Sequence, residues 1–345
     1  MRRLLGIALA TAAALALGGC GEDEEGGQRS AAEPGTLTVY SGREQELVAP
    51  LFERFEKRTG IDVKVRYGES AELAATLAEE GDASPADVFF AQDAGSLGAV
   101  AGAGRLAELP PAVLQRVPAR FRDPAGRWVG TSGRARVVAF NREAVSEDEL
   151  PATIYGYTEP RFKGKVGLPP TNASFQAFVT AMRLSEGEDR TRRFLQDLKD
   201  NDPRFYEKNG QVLEGLASGE VDVGLVNHCY LYLLKAEQPD APVKNHFMGG
   251  GDPGALVNVA GAGVVAGAEH AGAARRFVEY LLSDAGQRFY GQDAEEAEYP
   301  LVAGIPSRAG LPPLNEIDGP DVPLGRLGGE LERTLELLNQ LGYTS

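Results

Sequence analysis

The sequence predicts an α/β protein of two lobes, each a mixed, mostly parallel sheet flanked by helices, with strands crossing between the lobes. Three observations carry the prediction. Residues 36–102 alternate strand and helix patterns in a βαβαβ order, the rhythm of a parallel sheet. A second alternation of the same kind runs from 135 to 245. β-rich passages near 127–141 and 243–265 are placed to cross between the two units. Such an architecture puts a ligand cleft at the lobe interface and closes around it by a hinge.

Taken in order, TLTVYSG is a strand ending in a turn. REQELVAPLFERFEKRTG has helical spacing at Leu47, Leu51 and Phe55, with Gly60 as its C-cap. IDVKVRYG alternates as a strand, and SAELAATLAEEG is a helix capped by Ser70. SPADVFFAQD is a buried strand and DAGSLGAVAGAG a short helix. RWVGTSG and RARVVAFN read as two strands, and TEPRFKGKVGLP leads into another. NASFQAFVTAMRLSE, DRTRRFLQDLKD and GQVLEGLASG are helices; VDVGLVNH is a strand and CYLYLLKAEQP a helix. ALVNVAGAGVVAG is strand-like, AGAARRFVEYLLSDAGQRFY forms amphipathic helices, and LGGELERTLELLNQLG closes the chain. Lobe 1 takes residues 36–132 and 253–298; lobe 2 takes 133–252 and 299–345.

The N-terminus, MRRLLGIALATAAALALGGC, has the charged start, short apolar run and small-residue end of a secretory signal over residues 1–19. The run is too short and too interrupted by glycine for a membrane span. Its end, Leu17-Gly18-Gly19-Cys20, resembles the bacterial lipoprotein lipobox, which implies that Cys20 is diacylated. The protein is then expected in the cell envelope, lipid-anchored on the outer face of the cytoplasmic membrane, with residues 20–35 as a flexible tether. The 345 residues carry 50 acids against 35 bases, which argues against a nucleic-acid partner and mildly favours cationic cargo. With Cys20 lipidated, Cys229 has no intrachain partner, so no disulfide framework is expected.

Catalytic signatures are thin. GAGVVA at 261–266 fits a dinucleotide fingerprint but lacks the βαβ context, so it reads as small residues packed where strands meet. There is no P-loop, no G-x-S-x-G elbow, no H-E-x-x-H and no C-x-x-C. An exported hydrolase would need a nucleophile, a base and an orienting group, and no such set is evident, so a non-enzymatic role is expected. The chemistry concentrates instead in LVNHCYLYL, residues 225–233, where His228, Cys229 and Tyr230 stand side by side.

TVYSGREQELVAPLFERFEKRTGI, GESAELAATLAEEGDASPADVFFAQDAGSLGAV, SGRARVVAFN, FKGKVGLPPTNASF, FYEKNGQVLEGLASGEVDVGLVNHCYLYL, DPGALVNVAGAGVV and AEYPLV follow one another in order. Together they resemble the bacterial periplasmic ferric-iron-binding proteins, the substrate-binding components of iron ABC transporters. The resemblance covers nearly all of the mature chain. It implies the type II periplasmic-binding fold, Fe³⁺ as cargo with phosphate or carbonate as synergistic anion, an ABC permease and ATPase as partners, and a monomer.

Carried over residue by residue, Tyr230 matches the second of two adjacent tyrosine ligands, while the first falls on Cys229. A histidine ligand of some members falls on Glu44. A glutamate falls on Ala71, with Glu72 one place away, and a further tyrosine falls on Phe175. Ligand for ligand, the resemblance keeps only Tyr230; Glu44 and Glu72 are expected to complete an oxygen-rich metal site with it, and Cys229 and His228 are the further candidate donors. The resemblance implies anion binding by Asn209, Asn227, Asn172, Ala173 and Ser174, with Arg43, Arg134 and Arg136 approaching the cleft. Three alternatives stay open at Cys229: a buried substitution with iron held by oxygen donors, a true thiolate or imidazole ligand with another metal preferred, or a cleft for a small anionic or organic solute such as a phosphonate or thiamine-like molecule.

Overall fold

A computed structural model describes residues 35–344; the signal segment, Cys20 and nearly all of the tether lie outside the described residues. The elements in chain order are β1 (Thr36–Ser41), α1 (Gln45–Thr59), β2 (Asp62–Tyr67), α2 (Ser70–Glu80), β3 (Val88–Ala91), α3 (Ala94–Gly102), α4 (Pro111–Leu114) and β4 (Val129–Asn141). There follow β5 (Val166–Leu168), α5 (Ala173–Glu186), α6 (Glu188–Asp200), β6 (Arg204–Phe205), α7 (Asn209–Ala217), β7 (Val223–Asn227), α8 (Tyr230–Glu237) and β8 (Val243–His246). The chain ends with β9 (Val257–Val264), α9 (Ala271–Leu281), α10 (Asp284–Arg288), β10 (Tyr299–Pro300) and α11 (Leu327–Gln340).

The sheet runs β2-β1-β3-β9-β4-β7-β5-β6, with β8 and β10 also pairing with β4. Its two flanks are parallel: β1 pairs with β2 and β3, and β5 with β6 and β7. At the centre β4 and β9 run against their neighbours. This is the mixed sheet flanked by helices of the type II periplasmic-binding fold. RWVGTSG and RARVVAFN are not two strands. They form one thirteen-residue strand, β4, buried throughout. A register shift between Gly130 and Ser132 absorbs the irregularity that the small residues signal in sequence. The first half of β4 pairs with β9 and the second half with β7 and β8, so one strand serves both flanks of the sheet.

Hydrophobic periodicity decides what the helices bury. In α1, Val48, Leu51, Phe52 and Phe55 form the inward stripe, and Gly60 ends the helix at φ 73°. Phe52 and Phe55 meet Phe277 of α9 with ring centroids 5.4 and 5.1 Å apart. A second cluster holds Phe140, Tyr157, Phe175 and Phe178. A third, smaller one holds Val137, Leu213, Val226, Cys229 and Tyr230. Gly261 of the GAGVVA run packs in β9: a Cβ there would come within 2.6 Å of the Val129 carbonyl oxygen. Those glycines permit close strand approach.

Candidate functional site

Loops at the C-terminal ends of parallel strands converge with helix starts here, the usual place for a crevice in an open α/β sheet. A cavity of about 680 Å³ is lined by the β1–α1 turn (Gly42, Arg43, Glu44, Gln45), the β2–α2 junction (Tyr67, Gly68, Glu69, Glu72), Gln92 after β3, and the approaches to α5 and α7 (Thr171, Asn172, Glu207, Lys208). Ser70 does not cap α2. Its hydroxyl donates to the Gly42 carbonyl and accepts from the Gln92 backbone N–H, tying together two of the segments that line the cavity.

Arg43 of the cavity wall belongs to a cluster of four buried charges. Arg43 pairs with Glu296 at 2.9 Å and with Glu298 at 3.0 Å. Arg134 pairs with Glu296 at 3.2 Å and with Glu298 at 2.9 Å. Ser132 Oγ also donates to Glu298. Burial pushes the Glu298 carboxyl up, but Arg43 and Arg134 outweigh it and hold it below its usual value. Burial and the neighbouring Glu298 charge push Glu296 up. The sequence reading missed both glutamates. Their only signal is the i, i+2 spacing of Glu296 and Glu298 in EEAEYP, just ahead of an otherwise apolar run.

Tyr230 opens α8 and is buried. Its hydroxyl accepts a 2.9 Å hydrogen bond from Arg134 Nη2, and the guanidinium carbon lies 5.5 Å from the ring centroid. Burial pushes the Tyr230 phenol up, and Arg134 opposes that rise. Glu44, exposed before α1, is close enough to add to it. Arg134 also donates to Gln92 Oε1 at 3.2 Å, which joins Tyr230 to the cavity wall. Glu72, exposed in the first turn of α2, lines the same cavity. Phe175 is sealed in the second core cluster, so that position supplies no donor.

Cys229 is turned to the buried side. Its thiol donates to Glu296 Oε1 at 3.2 Å, and burial, then Glu296, push it well above its ordinary value. A protonated thiol held on a carboxylate is a poor ligand for a hard cation.

His228 is withdrawn from the expected ligand set. Its Nδ1 accepts the Ala135 backbone N–H at 3.1 Å, which leaves Nε2 to donate to the Ala297 carbonyl at 3.2 Å. Both nitrogens are therefore spent on backbone, and burial lowers the ring to about 4. In the unfolded chain it titrates near 6.5. Above 6.5 the ring is neutral in both states and stability is unaffected. As pH falls from 6.5 toward 4 the unfolded chain takes up a proton that the folded chain refuses, at a cost of about 3 kcal/mol. Denaturant titrations should show this extra loss in the wild type and its absence in His228→Gln. Equal pH slopes would refute the assignment.

The anion corner forms around α5. Asn172 caps the helix: its Oδ1 accepts from Ser174 N at 3.0 Å, Ser174 Oγ at 2.6 Å and Asn209 Nδ2 at 3.2 Å. Arg136 donates to Ser174 Oγ at 3.4 Å, Asn227 Oδ1 at 3.3 Å and the Leu225 carbonyl at 2.8 Å. Arg136 is 2% exposed, and no described carboxylate pairs with it. Burial, with Arg134 beside it, lowers Arg136 to about 9. A buried guanidinium lacking a counterion next to a helix start, where Ala173 begins the helix, favours an incoming anion. Arg43 and Arg134, by contrast, already pair with Glu296 and Glu298, so of the three arginines Arg136 is the one without a described carboxylate partner.

No described helix is long and apolar enough to cross a membrane. A model of the bacterial extracellular solute-binding protein family matches residues 83–306. The chain is 31% identical over 319 residues to the Fe(3+)-binding periplasmic protein of Serratia marcescens, covering 92% of this chain and 93% of that one. It is 32% identical over 310 residues to the major ferric iron-binding protein of Neisseria meningitidis serogroup B, covering 89% and 92%. Among solved structures, iron-bound HitA from Pseudomonas aeruginosa matches with a TM-score of 0.85 at 34% identity, covering 90% of this chain and all of that one. Trichodesmium IdiA (FutA), solved with iron and citrate ligands, matches with a TM-score of 0.78 at 28% identity over the same share of each.

Proposed function

The chain belongs to the bacterial extracellular solute-binding protein family, and from that membership we propose that it binds ferric iron together with a synergistic anion and hands it to an ABC importer. The observation that carries the proposal is Tyr230. A core tyrosine ordinarily satisfies its hydroxyl on a backbone carbonyl; this one faces the fixed positive charge of Arg134. A guanidinium there stabilises the phenolate that Fe³⁺ requires, and Glu44 and Glu72 add the hard carboxylate oxygens that a trivalent ion prefers. Arg136, with Asn172, Ser174, Asn209 and Asn227, receives the phosphate or carbonate.

On this reading Cys229 is a buried substitution rather than a ligand. Residues 36–132 with 253–298 move as one lobe and 133–252 with 299–345 as the other, closing over the cargo. The protein is a monomer held to the outer face of the cytoplasmic membrane through Cys20, and its partners are a permease and its ATPase. It performs no bond chemistry.

The test is an optical titration. Metal-free protein receives ferric iron from a weak chelate, with phosphate or carbonate present. A saturable phenolate-to-iron charge-transfer band with one iron per chain is the expected result, weakened when the anion is omitted. No band and no retained iron would sink the ferric reading.

A further inference from the structure

With Cys229 spent on Glu296, the start of α8 supplies one phenol, Tyr230, where the resemblance implies two adjacent ones. We infer that Tyr67, at the end of β2, is a second phenolate ligand for ferric iron. The inference rests on the ferric reading and extends its ligand set.

Three observations place Tyr67 for the task. First, its Cα pairs with that of Ser41 in the β1–β2 ladder. Neighbouring strands lie about 4.8 Å apart, so Tyr67 stands one strand over from where Gly42, Arg43 and Glu44 leave β1. Both residues are at the carboxyl ends of parallel strands, the edge on which such sheets bind ligands. Second, Tyr67 is the one tyrosine of the eleven that lines the cavity, and it does so beside Glu44, Glu69 and Glu72. Glu44 links the two phenols: it borders the cavity with Tyr67 and also acts electrostatically on Tyr230. Third, the half-buried Tyr67 hydroxyl carries no hydrogen bond from a described residue. Other phenols near the sheet are committed: Tyr40 to Glu80, Tyr299 to the Pro312 carbonyl and Tyr230 to Arg134.

The ring of Tyr67 packs against the first core cluster with Val63 and Val65, which fixes the phenol to a rigid strand instead of a loop. On binding, the phenol releases its proton to solvent as the oxygen–iron bond forms. A trivalent ion lowers the phenol's pKa far more than burial raises it. The acids around Tyr67 supply further hard oxygen donors, so the cavity offers a set suited to Fe³⁺ and unsuited to a soft ion.

Tyr67→Phe removes the oxygen and keeps the ring, so the fold is preserved; unchanged thermal melting of the iron-free variant checks this. At saturating iron, Tyr67→Phe should lose about half of the charge-transfer intensity and shift the band, because one of two phenolate donors is gone. Tyr230→Phe at saturating iron should keep a weaker band, which the double variant removes. A Tyr67→Phe band of wild-type intensity and position overturns the inference while leaving the ferric reading intact, as does complete loss of the band in Tyr230→Phe alone. A wild type with no band overturns both.

Discussion

Tyr230→Phe weakens ferric iron binding by more than about 100-fold, since even changing a partner of a metal ligand costs 10–100-fold. The substitution removes an anionic oxygen and nothing else of comparable weight. Arg134 keeps its contacts with Glu296, Glu298 and Gln92, so the guanidinium is not left without a partner. The phenylalanine ring fills the same space in the third core cluster, so iron-free stability changes little. Losing the hydroxyl also leaves Arg134 with no phenolate to stabilise, so the proton released on binding falls by one. Competition against a chelator of known strength measures the affinity, and the proton count follows from titration in weak buffer. Wild-type affinity in the variant would remove Tyr230 from the site and with it the observation on which the ferric reading stands.

What the sequence reveals about this molecule follows the range of the forces involved. Period-2 and period-3.6 patterns are local, and they place nearly every strand and helix. The exceptions show where locality ends. Gly130, Ser132 and Gly133 look like a break between two strands, but they pair along β9 with Gly261, Ala260 and Val259 through one register shift, so the chain runs on as β4. Ser70 looks like a cap because serine so often is one; its hydroxyl instead bridges Gly42 and Gln92, a contact only the assembled sheet creates. For the proposed site, a resemblance that spans the chain points to Tyr230, Glu44 and the Asn172–Ser174 corner, and to Glu72 only as a neighbour of the matching position. It does not point to Glu296 and Glu298, because the arginines that neutralise them lie 253 and 162 residues away for Glu296, with no sequence period to join them. Cys229 and His228 share a stretch with Tyr230, yet both are drawn inward by partners unreadable from LVNHCYLYL alone: Glu296, Ala135 and Ala297.

Glu298→Gln should destabilise the fold by about 3–5 kcal/mol, the range for removing one partner of a buried ion pair. Arg43, Arg134, Glu296 and Glu298 balance two positive against two negative charges with almost no water contact. Glu298 accepts hydrogen bonds from Arg43 Nη1 at 3.1 Å and from Ser132 Oγ, and its other oxygen lies in ion-pair contact with Arg43 Nη2 at 3.0 Å and Arg134 Nε at 2.9 Å. An amide there matches the shape but carries no charge, so two guanidiniums face one carboxylate in a dry site. The pH dependence has a definite sign. Arg43 and Arg134 hold the Glu298 carboxyl below its unfolded value, so its stabilisation is present above the ordinary carboxylate range and lost as pH falls through the lower folded one. The wild type should therefore lose its advantage over Glu298→Gln on acidification. Restoring neutrality should recover stability: Arg43→Gln combined with Glu298→Gln should be less destabilised than the sum of the single changes by about 2 kcal/mol. Chemical denaturation of the four proteins closes the cycle. A loss under about 0.5 kcal/mol in Glu298→Gln, the size of an ordinary surface change, would mean that water or a rearranged side chain compensates the charge. In that case the four charges do not hold Arg134 in place for Tyr230.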